Sequence, residues 1–281
     1  MVGHTGKQRK KDAILSITVV FLCLIMLVFE FSVIRFSRND RKNEWISVIF
    51  SQTAGMIAVV LIMYRFGLKL FKKLQNWLYL LPCLLIAVDN FPFYSYFQGN
   101  MRFVDRSLSS VLLFAGYCLV IGMFEECVFR GLIFSILAGY FSKDKAGLIK
   151  TFVISSVLFG LAHIFNVFGG NVGGTLLQVG YTTLTGGLFA FALIKTKNVL
   201  CCGIIHAVYN FCGLLLSEQG LGGGIVFDLG TGIIMAVISV CVAVFVFYSL
   251  YTYKEDELTV LYSRLGIKIP EKQENEAKNN V

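Results

Sequence analysis

Leu108–Phe141 reads LSSVLLFAGYCLVIGMFEECVFRGLIFSILAGYF, an apolar run whose only ionisable carboxylates and cation are Glu125, Glu126 and Arg130. A charged side chain near the centre of a membrane-spanning helix costs about 2.5–3.5 kcal/mol on an insertion scale. Nothing about crossing a bilayer requires the three charges of GMFEECVFRG (Gly122–Gly131), so they call for further helices that give them a partly wet, protein-lined setting. The run exceeds the roughly 20 residues that a bilayer core needs, so the helix must tilt, kink or project beyond the membrane.

Outward from that stretch the composition agrees. Of 281 residues 56% are hydrophobic and only 15% charged, with a mean hydropathy of +0.73. Apolar runs of about 18 residues or more recur, which reads as one polytopic, all-α membrane protein. The net charge of +8 does not point to nucleic acid, because Lys and Arg sit in short clusters between apolar runs and not on an aromatic, base-stacking surface. All eight cysteines fall inside apolar runs and no CxxC spacing occurs, so neither a disulfide framework nor a thiolate zinc site is expected. Cys127, beside the charged cluster, would need a neighbouring base to act as a nucleophile.

In chain order, residues 1–12 (MVGHTGKQRKKD) form a basic tail, 13–251 a single transmembrane domain, and 252–281 a charged, partly disordered tail. Eight spans are expected: Ala13–Ile34, Trp45–Tyr64, one starting at Trp77, Leu108–Phe141, Thr151–Phe168, Thr175–Ile194, Val199–Leu216 and Ile225–Tyr251. The first is too long for a signal peptide, and no small-residue cleavage site follows it. With both tails on one side, that side carries most of the 25 Lys and Arg residues, which places both termini in the cytoplasm. Asp89 falls near the frayed end of the third span and reads as a helix-end carboxylate.

Residues four apart on a helix lie about 40° apart in projection and neighbours about 100° apart. Glu126 and Arg130 therefore share a face, in the order that favours an ion pair, and Glu125 points elsewhere. Two of the three histidines, His163 and His206, lie inside spans, with Phe159 four residues before the first and Asn210 four residues after the second. Taken singly, a membrane histidine is more often a helix–helix hydrogen-bonding residue than a catalyst. A carboxylate, two imidazoles and an amide on three spans fit addition of water to a carbonyl. Two histidines and a glutamate equally form a ligand set for catalytic zinc, gathered here from separate helices since HExxH is absent. Such groups also serve proton relays and transporters, although no internal repeat supports that reading.

EECVFR (Glu125–Arg130), FGLAH (Phe159–His163) and HAVYN (His206–Asn210) match, in order, the EExxxR, FxxxH and HxxxN motifs of the CPBP family of intramembrane proteases. That family includes the type II CAAX prenyl endopeptidases and bacteriocin-processing or self-immunity proteins. The resemblance covers roughly 108–216, the catalytic core it implies. It implies an endopeptidase that hydrolyses a membrane-associated peptide or protein, with Glu125 as the base, His163 its partner on the water, and His206 and Asn210 stabilising the oxyanion. In the metalloprotease version His163, His206 and Glu125 would bind one divalent ion. Glu126 and Arg130 would hold the site and Phe159 would pack against it. The implied partners are a peptide substrate and the lipid bilayer, in a bacterial cytoplasmic membrane. The competing expectation is a non-proteolytic bacteriocin self-immunity or membrane scaffold protein.

Overall fold

In a bilayer an apolar run must satisfy its own backbone hydrogen bonds, which leaves the helix as its natural form. The computed structural model describes residues 41–169, 172–217, 219–224 and 229–267, and it is helical apart from one two-stranded ribbon. Helix α1 (Arg41–Arg65) is followed by a 3₁₀ turn at Trp77–Tyr79 that leads into α2 (Leu80–Asp89), then by the short α3 (Phe93–Phe97). Strand β1 (Met101–Phe103) precedes α4 (Leu108–Glu126), which widens into a π-helical stretch at Cys127–Ile133 and continues as α5 (Phe134–Tyr140). Next come α6 (Lys145–Ala162), a 3₁₀ stretch at His163–Gly169, α7 (Val172–Thr196) and α8 (Val199–Leu214). Strand β2 (Gly222–Gly224) pairs antiparallel with β1, and α9 (Leu229–Tyr251) and α10 (Glu255–Arg264) close the described chain.

Five helical segments among the described residues are long and apolar enough to cross a membrane: Arg41–Arg65, Leu108–Tyr140, Lys145–Phe168, Val172–Thr196 and Leu229–Tyr251. This is an all-α polytopic membrane protein. Two of the expected spans are shorter apolar helices, Trp77–Asp89 and Val199–Leu214. The 16 residues of α8 rise only about 24 Å, less than a hydrocarbon core about 30 Å thick. The expected first span at Ala13–Ile34 and the tail at 1–12 lie outside the described residues, as does everything after 267.

Helix ends are tied by short polar residues. Asp144 caps α6 by accepting from the Gly147 N–H at 2.7 Å, and that bond with the Ser142 hydroxyl holds its carboxyl below the usual range. Asn198 accepts from the Leu200 and Cys201 N–H groups at the start of α8. Ahead of α4, the Ser110 hydroxyl and the Ser107 N–H hold Asp105 well below the ordinary carboxylate range.

Within the charged C-terminal segment, 255–264 folds as α10. Its Leu258, Leu261 and Tyr262 recur at helical spacing and are buried. The segment is anchored by a Tyr253 hydroxyl that donates to the Ile194 carbonyl at 3.1 Å and by the Lys69 N–H, which donates to the Arg264 carbonyl at 2.7 Å.

Helix α4 runs between α1 and α8, while α6 runs along α7. On α4 the buried residues Ser110, Phe114, Cys118, Gly122 and Glu126 recur every fourth position, forming one stripe whose last member is a carboxylate. On the α1 side, the Phe124 ring lies directly over Gly55, where a Cβ would stand 2.9 Å from the ring carbons.

Candidate active site

The stripe on α4 meets α8 at a pair of glycines. A Cβ on Gly122 would stand 2.7 Å from the Ala207 nitrogen and 2.8 Å from the Gly203 carbonyl oxygen, so the two backbones touch here. Helices in lipid associate through such small-residue contacts, since tails are as apolar as leucine and burial gives little drive. Gly122→Val must push the backbones apart. It is expected to destabilise the protein by about 1–3 kcal/mol, the usual cost of overpacking, read as a lowered midpoint of unfolding in detergent. A midpoint equal to that of the unmodified protein would show that the contact does not hold the helices together.

One turn beyond Gly122, Glu126 is fully buried and reaches two partners. Its Oε2 lies 3.0 Å from Arg130 Nε, and its Oε1 accepts from His206 Nδ1 at 3.0 Å. The contact with Arg130 has the distance of an ion pair without the alignment of a hydrogen bond. The guanidinium instead donates through Nη2 to the Gly186 carbonyl at 2.7 Å. Its Cζ also sits 4.5 Å from the Phe159 ring centroid, 5.5 Å from that of Phe189 and 5.9 Å from that of Phe129. A cation over aromatic faces is stabilised by the ring quadrupoles, an effect that grows where water is absent. The isolated Glu126–Arg130 pair expected from spacing is thus a three-member set, with His206 as the third.

The bond to Glu126 also turns the His206 ring. With Nδ1 held, Nε2 points toward Glu125, whose Oε2 lies 3.8 Å away, longer than a hydrogen bond. Both glutamates face the same imidazole from adjacent positions of one helix, Glu126 through a hydrogen bond and Glu125 at the longer distance. Glu125 is the more accessible, with 17% of its side chain exposed against none of Glu126.

The other motif residues come from two helices. Phe159, fully buried on α6, packs edge-on against His163 at 5.2 Å, His206 at 5.7 Å and Phe129 at 5.0 Å between centroids. His163 ends α6, and its Nδ1 contacts the Phe159 carbonyl oxygen at 2.9 Å. Donation from Nδ1 makes Nε2 the acceptor nitrogen of that ring. Asn210 lies one turn beyond His206 on α8 and is half-buried. Phe159 is therefore the ring that joins the His163 end of α6 to Arg130 and His206.

Among the described residues no group of three His, Cys, Asp or Glu side chains stands at metal-ligand spacing. His206 gives Nδ1 to Glu126 and turns Nε2 toward Glu125.

Two participants escaped the sequence reading. The Gly186 carbonyl carries no side-chain signal, and Phe189 sits in an unbroken apolar run where one ring cannot be told from the next.

Comparison with known proteins falls on the same region. Residues 107–212 match the family model described as type II CAAX prenyl endopeptidase Rce1-like. Over 100 residues the chain is 29% identical to CAAX prenyl protease 2 of Saccharomyces cerevisiae, an alignment covering 32% of this chain and 32% of that protein. The chain thus spans about a third of the length of the curated relative it matches. No solved structure matches. The matched residues contain all three motifs and every side chain of the cluster around Glu126, and these two similarities support the CPBP/CAAX protease family for this membrane protein.

Proposed function

We propose that this protein is an intramembrane endopeptidase that hydrolyses a peptide bond of a membrane-associated peptide or protein, with Glu125 activating the water. The observation that carries the proposal is the convergence of the three motifs: Glu125, Glu126 and Arg130, Phe159, and His206 meet around one imidazole and one guanidinium. Packing alone does not explain it, because an apolar cluster of equal volume would serve a bilayer better.

In the proposed reaction, Glu125 takes a proton from water while His163 orients that water. The resulting hydroxide adds to the scissile carbonyl carbon, and the carbonyl electron pair moves to oxygen. His206 and Asn210 donate to this oxyanion, the group whose stabilisation contributes most to acyl transfer. Collapse of the intermediate breaks the C–N bond as protonated Glu125 returns its proton to the leaving nitrogen. Glu126 serves by holding Nδ1 of His206, which presents Nε2 on the Glu125 side.

The side chains of this mechanism need no ion, so cleavage of a membrane-anchored peptide by the protein in proteoliposomes is expected to survive chelation unchanged. His163→Ala in the same assay is expected to lose cleavage while retaining the fold. Loss on chelation with recovery on adding zinc would overturn the glutamate-based reading. Full activity of His163→Ala would overturn its role on the water. Binding of a membrane peptide without any cleavage by the unmodified protein would favour the immunity or scaffold function instead.

A further inference from the structure

We infer that Phe189, which lies outside all three motifs, is a positioning residue that fixes the plane of the His206 imidazole. The inference rests on the peptidase reading for its kinetic consequence, but not for its geometry. A ring held by one hydrogen bond at Nδ1 can still swing about that bond, carrying Nε2 out of line with Glu125. Hydrogen bonding to Glu126 fixes where His206 is anchored; something else must fix its plane.

Phe189 supplies the flat surface. Its ring is fully buried and lies 4.6 Å from the imidazole centroid with an interplanar angle of 21°, a stacked arrangement. Phe159 stands against the same imidazole at 77°, edge to face. Two rings at nearly right angles constrain an imidazole more than either does alone, and aromatic contacts of both kinds are favourable beyond the area they bury. Phe189 is itself wedged: the Arg130 guanidinium carbon lies 5.5 Å from its centroid, and Phe159 and Tyr209 meet it edge-on at 6.2 and 6.3 Å. The residue that stacks on His206 is thereby held by the cation that pairs with Glu126. One cluster sets the anchor and the plane of the same ring.

Position on the chain supports this. Phe189 lies on α7, three residues after Gly186, whose carbonyl accepts from Arg130. A single turn of α7 therefore contacts the site twice, once through backbone and once through a ring. A core phenylalanine filling space between α7 and α8 would need neither parallel stacking nor that register.

The test uses the full protein in detergent micelles with its histidine side chains carbon-13 labelled. The chain has three histidines, His4, His163 and His206, so signals can be assigned with His163→Gln. A phenyl ring stacked on the imidazole shields its protons, so His206 signals are expected upfield of those of His4 in the unmodified protein. In Phe189→Leu that shift is expected to vanish while the His163 signals stay in place, and Phe189→Tyr is expected to retain it. In the cleavage assay Phe189→Leu should lower kcat by about tenfold to a hundredfold, the scale of a misplacement near 1 Å, with KM unchanged and recovery in Phe189→Tyr. A residue that merely fills volume would not restrict the loss to kcat or be restored by a ring alone. Coincident His206 and His4 signals in the unmodified protein would overturn the stacking without recourse to any variant. A retained kcat in Phe189→Leu that has lost the shift would overturn the positioning role. If the unmodified protein shows the shift and cleaves nothing, the proposed function fails while the contact stands.

Discussion

Glu125→Gln is expected to lower kcat by about three to four orders of magnitude, near the upper range for loss of a general base, with little change in KM. Glutamine preserves the size of the side chain and its ability to accept a hydrogen bond but cannot take a proton from water. The ion pair and hydrogen bond that hold the site belong to Glu126, whose oxygens face Arg130 and His206 at 3.0 Å each. The variant should therefore fold and melt like the unmodified protein. Steady-state cleavage in proteoliposomes, with the unfolding midpoint measured in parallel, checks both halves. Activity within tenfold of the unmodified enzyme would assign the base elsewhere, and a matching fall in stability would return Glu125 to a structural role.

Arg130→Met should have the opposite profile, with stability lost first. Removing one partner of a buried ion pair leaves the other charged and unpaired, at a cost of about 3–5 kcal/mol. Methionine approximates the length of the arginine stem without its charge. The loss here includes the Gly186 hydrogen bond and the cation's contacts with Phe159, Phe129 and Phe189. Glu126 would retain only His206, so Glu126→Gln in the same chain should recover part of the loss by removing the orphaned charge. Unfolding in detergent of the single and double variants forms a cycle that isolates the pair. A single variant as stable as the unmodified protein would mean that the guanidinium contributes nothing net to the fold.

Much of this architecture could be read from the residues because a bilayer is a demanding solvent. Long apolar runs have few alternatives to helices there, so α1, α4, α6, α7 and α9 fall on the expected spans. The spacing of Glu126 and Arg130 likewise reports their shared face. What local periodicity does not carry is which face of one helix meets which face of another. The bond between Glu126 and His206 joins positions 80 residues apart and depends on how closely Gly122 and Gly203 let two helices approach. Phe189 is equally hidden, since its role depends on the angle between two rings. Within the charged segment after 252, Leu258, Leu261 and Tyr262 form a narrow apolar stripe that docks α10.

The π-helical stretch at Cys127–Ile133 acts as a phase shifter in the longest helical segment among the described residues. Each i→i+5 turn takes up one residue more than an i→i+4 turn, so the parts before and after it are rotated by about 100° relative to an uninterrupted α-helix. Ahead of the shift, α4 presents its stripe to α8 and to the imidazole on it; behind it, α5 packs on α6. Arg130 sits within the shift itself, reaching back to Glu126 while its guanidinium lies among rings from α6 and α7. A single inserted residue thus works like the throw of a crank: it lets one continuous rod turn toward two different neighbours, with the charged cluster at the elbow.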